Sequence, residues 1–393
     1  MEVTQLRVAL FSGNYNYVRD GANQALNRLV GYLMRQGAAV RIYSPTVANP
    51  QFPATGDVID VPAIPFPGRS EYRLPLMIPP KIKRDVRNFS PNILHVASPE
   101  ILGHSAIRLA GKMDVPVVAS VHTRFETYPR YYGLAFLEPV IEAILRRFYR
   151  RCDAIFAPSE SMAQLLREQR MSFDVGIWSR GIDTEIFTPT RRDLEWRRSI
   201  GIDDDDVVIG FIGRLVMEKG LDIFADVNDE LDRRQVRHKV LVVGEGPAMG
   251  WFERRLPSAQ FVGFQRGSDL GRAVASMDML FNPSITETFG NVTLEAMAAG
   301  LPVIAARATG SASLVQDGKT GRLIEPGRVQ AFADALQHYI IDAASRAAAG
   351  AAGQRESCRY GWDRVNQSLV ESYLRIIRQR AAGGGPPRMG PVP

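Results

Sequence analysis

Two glutamates with seven residues between them, Glu287 and Glu295, lie in the segment PSITETFGNVTLEAMAAG (Pro283–Gly300). An ionised carboxylate offers several acceptor sites and suits a hydroxyl pair, which offers two donors. The local pattern is a strand ending at Asn282, a loop, and a helix over 291–299. Glu287 then sits in the loop, where it can reach a sugar hydroxyl. Glu295 sits on the first turns of the helix, where it can accept from both hydroxyls of a ribose. The backbone N–H groups of Phe289, Gly290 and Asn291, at the helix start, form an anion site. The competing reading has Glu295 facing solvent and Glu287 capping the helix.

A second constellation is GRLVMEKG, directly after an apolar run. Gly213 lets the backbone turn tightly. Arg214 and Lys219 can meet phosphates, one as a planar fork and the other as a point charge. The bland alternative is a solvated charged loop. His122, in SVHTRF, follows the run VPVVASV. At the carboxyl end of a parallel strand it faces the crevice where α/β proteins bind ligands, where it can hydrogen-bond a sugar hydroxyl. His95 and His104 lack that setting and read as structural. The Gly13–Gly21 loop precedes a helix but lacks GxGxxG, so a nicotinamide site has weak support.

These residues need a scaffold of strands and helices. Leu6–Ser12 reads as a buried strand. Asp20 precedes a helix whose apolar pairs Ala25/Leu26, Leu29/Val30 and Leu33/Met34 recur every four residues, and Gly37 ends it. Further strands are expected at Ala39–Tyr43, Ile93–Val96, Val117–Val121 and Ala154–Ala157. Continuous apolar strands between helices indicate a parallel sheet covered on both faces. The charged stretch from Thr184 to Asp206 reads as a connection with a short helix. A second series follows, with strands at Val207–Arg214, Lys239–Gly244, Met279–Asn282 and Pro302–Ala305. An amphipathic helix is expected from about Trp362 to Arg378, and a disordered tail at 381–393. The predicted organisation is thus an N-terminal domain over 1–185 completed by the helix near 362–378, a connection over 186–206, and a second domain over 207–355.

At 393 residues, two domains are expected. The net charge of +6 favours anionic partners without choosing among them. The two cysteines, Cys152 and Cys358, have no metal-ligand spacing and suggest a reducing compartment. The N-terminus lacks the basic region of a secretory signal, and no run approaches 18 apolar residues. The basic segments Pro79–Arg87 and Glu142–Arg151 suggest peripheral contact with an anionic membrane surface, against the alternative of a solvated helix face.

The chain resembles the family 4 glycosyltransferases, which have the GT-B fold of two Rossmann-like domains with a facing cleft. The resemblance runs from about Arg7 to Tyr373. It rests on RDGANQ, SVHTRF, RGIDTEIFTP, GFIGRLVMEKG, VVGEGP, FVGF, PSITETFGNVTLEAMAAGLPVIA and VQDGKTGRL. Within the family it is similar to bacterial mannosyltransferases that use GDP-mannose and to sulfoquinovosyl-diacylglycerol synthases. The resemblance implies that Arg214 and Lys219 contact the donor diphosphate, Glu295 the ribose, and Glu287 the transferred sugar. It places the Phe289–Gly290–Asn291 backbone over phosphates and sugar, His122 near the sugar's C6 hydroxyl, and Gly13 and Gly21 in a loop approaching donor or acceptor. Asp183, with Arg180 and Gly181, belongs to a domain-linking motif, and the helix near Trp362 returns to the first domain. Two departures stand out. Arg124 replaces the family's usual aspartate after His-Thr and points to a charged donor or acceptor, and Thr309-Gly310 stands where many relatives have Gly-Gly.

The implied function is retaining transfer of a hexose, mannose from GDP-mannose foremost, to a lipid or glycan acceptor, without metal or cofactor and without nucleic acid. A cytoplasmic, peripheral membrane location is expected. The alternatives are transfer of glucose, glucuronate or sulfoquinovose from a UDP-sugar, a nucleotide-sugar epimerase, a dehydrogenase, and a non-catalytic nucleotide-sugar binder. The run Asp203–Asp206 lies away from the donor loops and reads as solvated rather than metal-binding.

Overall fold

The computed structural model describes residues 1–18, 20–66, 69–122 and 135–383. The chain divides into two compact units, one made of Met1–Arg180 and Asp363–Pro393, the other of Gly181–Trp362.

In the first unit the strands are β1 (Arg7–Phe11), β2 (Ala39–Ser44), β3 (Asp57–Asp60), β4 (Ala63–Phe66), β5 (Arg69–Pro75), β6 (Ile93–Val96), β7 (Val117–Ser120), β8 (Ala154–Ala157) and β9 (Val175–Ile177). Its helices are α1 (Gly21–Arg35), α2 (Pro80–Phe89), α3 (Ile101–Met113), α4 (Glu138–Tyr149) and α5 (Glu160–Glu168). Seven strands form a sheet in the order β3-β2-β1-β6-β7-β8-β9, and β4 and β5 form a separate hairpin. The strands β6, β7 and β8 are buried throughout, and β1 is buried after Arg7, as expected of parallel strands covered on both faces. Helix α1 starts where Asp20 accepts from the Asn23 N–H at 2.8 Å. It ends before Gly37, whose φ of +81° lets the Ala38 N–H return to Leu33 O at 3.0 Å. Its buried face carries Ala25, Leu26, Leu29, Val30 and Leu33, whereas Met34, expected on that face, is exposed.

The second unit contains α6 (Leu194–Ser199), β10 (Val208–Ile212), α7 (Leu221–Arg233), β11 (Lys239–Val243), α8 (Met249–Arg255), β12 (Gln260–Phe261), α9 (Gly267–Ala275), β13 (Met279–Asn282), α10 (Asn291–Ala298), β14 (Val303–Ala306), α11 (Thr309–Leu314), β15 (Gly321–Ile324), α12 (Val329–Ile341) and α13 (Ala343–Ser357). Its sheet order is β12-β11-β10-β13-β14-β15, with every pairing parallel. The last helix, α14 (Trp362–Ala381), then enters the first unit. There Val365, Leu369, Val370, Tyr373 and Ile376 are buried. The expected disordered tail began at 381, but Ala381 closes α14, and 384–393 lie outside the described residues.

The stretch expected as an interdomain connection, 186–206, packs as part of the second unit. Arg197 is the reason. Its fully buried guanidinium donates to Ser276 O at 2.9 Å, Asp203 O at 3.0 Å and Asp206 O at 2.7 Å, and it pairs with Asp278 at 3.2 Å. Ile202 joins the core, and Asp206 is buried against an Arg237 ion pair. A charged sequence looked like a solvated tether because a buried arginine, neutralised and hydrogen-bonded through both terminal nitrogens, cannot be told from an exposed one by residue type.

Candidate functional site

Each sheet has one place where the strand order turns, between β1 and β6 in the first unit and between β10 and β13 in the second. Ligands of open parallel sheets bind beyond the strand carboxyl ends at such points.

In the second unit the loops after β10 and β13 carry most of the predicted residues. Gly213 adopts φ +147°, and the Gly244 Cα lies so close that a Cβ there would come within 1.9 Å of Gly213 O. The two loops are pinned by Leu215 N–H donating to Glu245 O at 2.9 Å. Arg214 is exposed, with no carboxylate partner among the described residues. A short 3-10 turn, Met217–Lys219, delivers Lys219 before Gly220 opens α7 with φ +73°. Lys219 Nζ meets Glu287 Oε1 at 3.0 Å. The β13 loop is fixed by its own polar groups: Asn282 Oδ1 accepts from Ser284 N–H at 3.2 Å, and Asn282 Nδ2 donates to Thr293 Oγ1 at 3.3 Å.

Helix α10 starts at Asn291, as read from the sequence. Gly290 precedes it with φ +96°, and no side chain caps its N-terminus. The N-cap residue thus has no side chain to satisfy the first N–H groups of α10, which can meet an anion. Phe289 is buried in the core. Glu295 is half-buried. Loss of solvent, and then the negative charge of Glu287, push its carboxyl up to about 7. Gly310 was noted only as half of a departure from the family pattern. Its N–H donates to Glu287 O at 2.9 Å, and a Cβ on it would lie 2.8 Å from the Phe289 carbonyl carbon. A glycine flanked by alternating small residues was the available signal.

In the first unit Gly13 follows β1, and Gly21 is the first residue of α1. Gly13 abuts Glu100, beyond the end of β6: a Cβ on Gly13 would lie 1.8 Å from Glu100 Oε2. Burial pushes the Glu100 carboxyl up to about 7, and its buried Oε2 has no hydrogen-bond partner among the described residues. Sequence reading passed over Glu100. His122 ends the β7 run, as expected. Its Nε2 meets Ser120 Oγ at 2.8 Å and its Nδ1 meets Arg180 at 2.7 Å. Burial, followed by the charge of Arg180 and the nearby His95, holds the imidazole well below its usual pKa, so it is neutral. Arg124 lies outside the described residues. Asp183 accepts from the Glu185 N–H at 3.2 Å, closing a local turn, and Gly181 packs on Trp362 where a Cβ would lie 2.3 Å from the indole. Among the described residues, no group of His, Cys, Asp or Glu is placed to hold a metal ion, and no helix is long and apolar enough to cross a membrane.

The comparison with known proteins matches this arrangement. Residues 19–186 fit the family described as Glycosyltransferase Family 4, and residues 206–342 fit Glycosyl transferases group 1. A GDP-mannose-dependent alpha-mannosyltransferase of Mycolicibacterium smegmatis is 32% identical over 96% of this chain and 99% of its own length. The chain belongs to glycosyltransferase family 4. The sulfoquinovosyl transferase SQD2 of Arabidopsis thaliana is 31% identical over 91% of this family member and 71% of its own length. Among solved structures, Alr3699/HepE of Anabaena, in complex with UDP, superposes with a TM-score of 0.73 at 19% identity, covering 94% of this chain and 100% of that one. That likeness is one of fold, and the fold of this glycosyltransferase is GT-B.

Proposed function

We propose that this glycosyltransferase moves a hexosyl group from a nucleoside-diphosphate sugar, GDP-mannose first, to a hydroxyl of a lipid or glycan, with retention of configuration and without a bound metal ion. The observation that carries the reading is the Lys219–Glu287 pair at 3.0 Å beside the uncapped start of α10. It gathers cations, open N–H groups and a sugar-reading carboxylate at one strand-order turn. In the reaction, the bond between the anomeric carbon and the β-phosphate oxygen breaks. The electron pair leaves with the diphosphate, where Arg214, Lys219 and the N–H groups at Phe289–Asn291 meet the new charge. Glu295 holds the ribose and Glu287 a sugar hydroxyl. The acceptor oxygen attacks on the face the diphosphate vacates, and its proton departs with that leaving group. The name of the mannosyltransferase supports a GDP-linked donor, and that of the sulfoquinovosyl transferase an acidic sugar as the second reading.

The test is transfer of label from GDP-mannose, UDP-glucose, UDP-glucuronate and UDP-sulfoquinovose into a membrane lipid extract, with and without a chelator. The product's anomeric configuration is read by NMR. Transfer from one donor, unaffected by chelator and with retained configuration, is expected. An inverted product or loss of activity with chelator would overturn the corresponding part, and donor hydrolysis without transfer would overturn the whole.

We also propose that the enzyme works at the cytoplasmic face of a membrane through α2 and α4. Of the four α4-region arginines, Arg146 and Arg150 turn inward to the carbonyls of Gln169 and Arg170. Arg147 and Arg151 are exposed. They continue a line of exposed apolar residues spaced by four, Phe136, Val140 and Ile144, which is the composition of an interfacial helix.

A further inference from the structure

The core of the first unit contains a continuous row of polar side chains. Tyr373 Oη meets His95 Nδ1 at 2.5 Å, His95 Nε2 meets Ser120 Oγ at 2.8 Å, Ser120 Oγ meets His122 Nε2 at 2.8 Å, and His122 Nδ1 meets Arg180 at 2.7 Å. Tyr373 and His95 are 0% exposed, Ser120 2% and Arg180 5%. Trp178, itself buried, stands edge-on to both histidine rings at 5.7 and 5.8 Å. Apolar residues of similar shape would fill such a space at lower desolvation cost. The row passes through His122, at the carboxyl end of β7, and reaches Arg180.

Hydrogen positions follow from one fixed point. A guanidinium can only donate, so His122 Nδ1 accepts from Arg180 and the ring proton of the neutral imidazole sits on Nε2. That proton goes to Ser120 Oγ. With the serine O–H turned to His95 Nε2, this hydroxyl both accepts and donates. His95 in turn carries its proton on Nδ1 and gives it to Tyr373 Oη. We propose that Arg180, Ser120 and His95 are positioning residues for the transfer reaction, fixing His122 in one ring orientation as its Nε2–H tautomer. The role in transfer rests on the reading of His122 as part of the sugar site, whereas the tautomer does not.

The experiment uses the full chain with 15N-labelled histidine. There are five histidines, and imidazole nitrogen shifts report each one's tautomer. Spectra of His95→Gln and His122→Gln assign the signals. In the wild type, His122 should show a single Nε2–H tautomer across pH 6–8. Ser120→Ala should free the ring's orientation, shifting the His122 nitrogen signals while the Nε2–H form persists, and lower kcat about ten- to hundred-fold, with donor KM and nucleoside-diphosphate affinity unchanged. Ser120→Thr, which keeps the hydroxyl, should restore both. Arg180→Gln reads the same link from the other side if Ser120→Ala fails to fold. Mixed tautomers in the wild type, or an unchanged His122 signal in both variants, would overturn the relay. A shifted His122 signal with unchanged kcat would overturn the positioning role alone. If no donor supports transfer, the proposed function fails while the spectra still decide the relay.

Discussion

Lys219 and Arg214 were read from sequence as equals, but their surroundings differ. Lys219 is half-buried on Glu287, whose side chain is only 11% exposed, whereas Arg214 projects outward. Lys219→Ala and Arg214→Ala should each cost about 2–4 kcal/mol in the transfer barrier, or roughly 10²–10³-fold in kcat. Only Lys219→Ala removes the ion-pair partner of a largely buried carboxylate, so it alone should also lower stability, by about 1–3 kcal/mol in denaturant unfolding. Equal stability of the two variants would contradict the pair's structural part. Glu295 yields a pH prediction. Its carboxyl titrates near 7 instead of 4.5, so the native state without ligand holds a proton that the unfolded chain has released. Stability from this group is complete below about 4.5 and is lost as pH rises through about 7. A ribose diol donates to the ionised form, so nucleoside-diphosphate affinity should climb from pH 5.5 to about 7 and then level. Glu295→Gln should bind more weakly at pH 8 and lose that component of the pH dependence. Calorimetry on both proteins separates this from titration of the ligand's own phosphate, which is common to the two. Parallel pH curves would rule out ribose contact through this carboxylate.

At the scale of elements, what could be read in advance divides by range of interaction. The strands Ile93–Val96, Ala154–Ala157 and Met279–Asn282 and the start of α10 were legible because apolar runs and helix starts are local signals. The Glu287–Lys219 contact was not, because 68 residues separate the partners and nothing in their spacing orients one toward the other. The Gly13–Glu100 contact and the role of Gly310 were hidden for the same reason. Gly310 carries a direct test. A methyl there meets backbone atoms of Phe289 at 2.8 and 2.9 Å, which cannot swing aside as a side chain tip can. Gly310→Ala should therefore shift the 287–289 loop, cost about 1–3 kcal/mol of stability and lower kcat at least ten-fold. A wild-type melting curve and rate would show that the loop tolerates the displacement. Helices α2, α3 and α4 raise a different point. Lys83, Arg87, Arg108, Lys112 and Arg151 line a cavity of about 520 Å³ with no carboxylate among its lining residues. Burial and then the charges of Arg108 and Arg147 hold the Arg151 guanidinium below its usual pKa. Removing Arg147 and Arg151 together as Gln should weaken flotation with anionic vesicles about 30-fold, at about 1 kcal/mol per charge near the surface. Flotation equal to wild type, or equal on neutral vesicles, would argue against the membrane role.

For the whole molecule, the decisive feature is that the first unit is discontinuous in sequence and the second is not. Ending the chain after residue 361 would remove α14 with its buried Val365, Leu369, Val370, Tyr373 and Ile376, leaving an open apolar groove and His95 without its phenol. Such a truncation should abolish sugar transfer and cooperative melting of the first unit while leaving nucleoside-diphosphate binding by the second. Loss of that binding as well would mean the second unit does not stand alone. The same connectivity sets an order of events at the ribosome. Translation proceeds at about 5–20 residues per second, so the segment up to Arg180 waits on the order of ten seconds or more before Tyr373 has been made. From the moment Trp362 has been made until α14 follows, the second unit is the only one whose sequence is whole. The nascent enzyme should thus mature back to front, its second unit becoming protease-resistant on stalled ribosomes while the half that left the exit tunnel first is still cut.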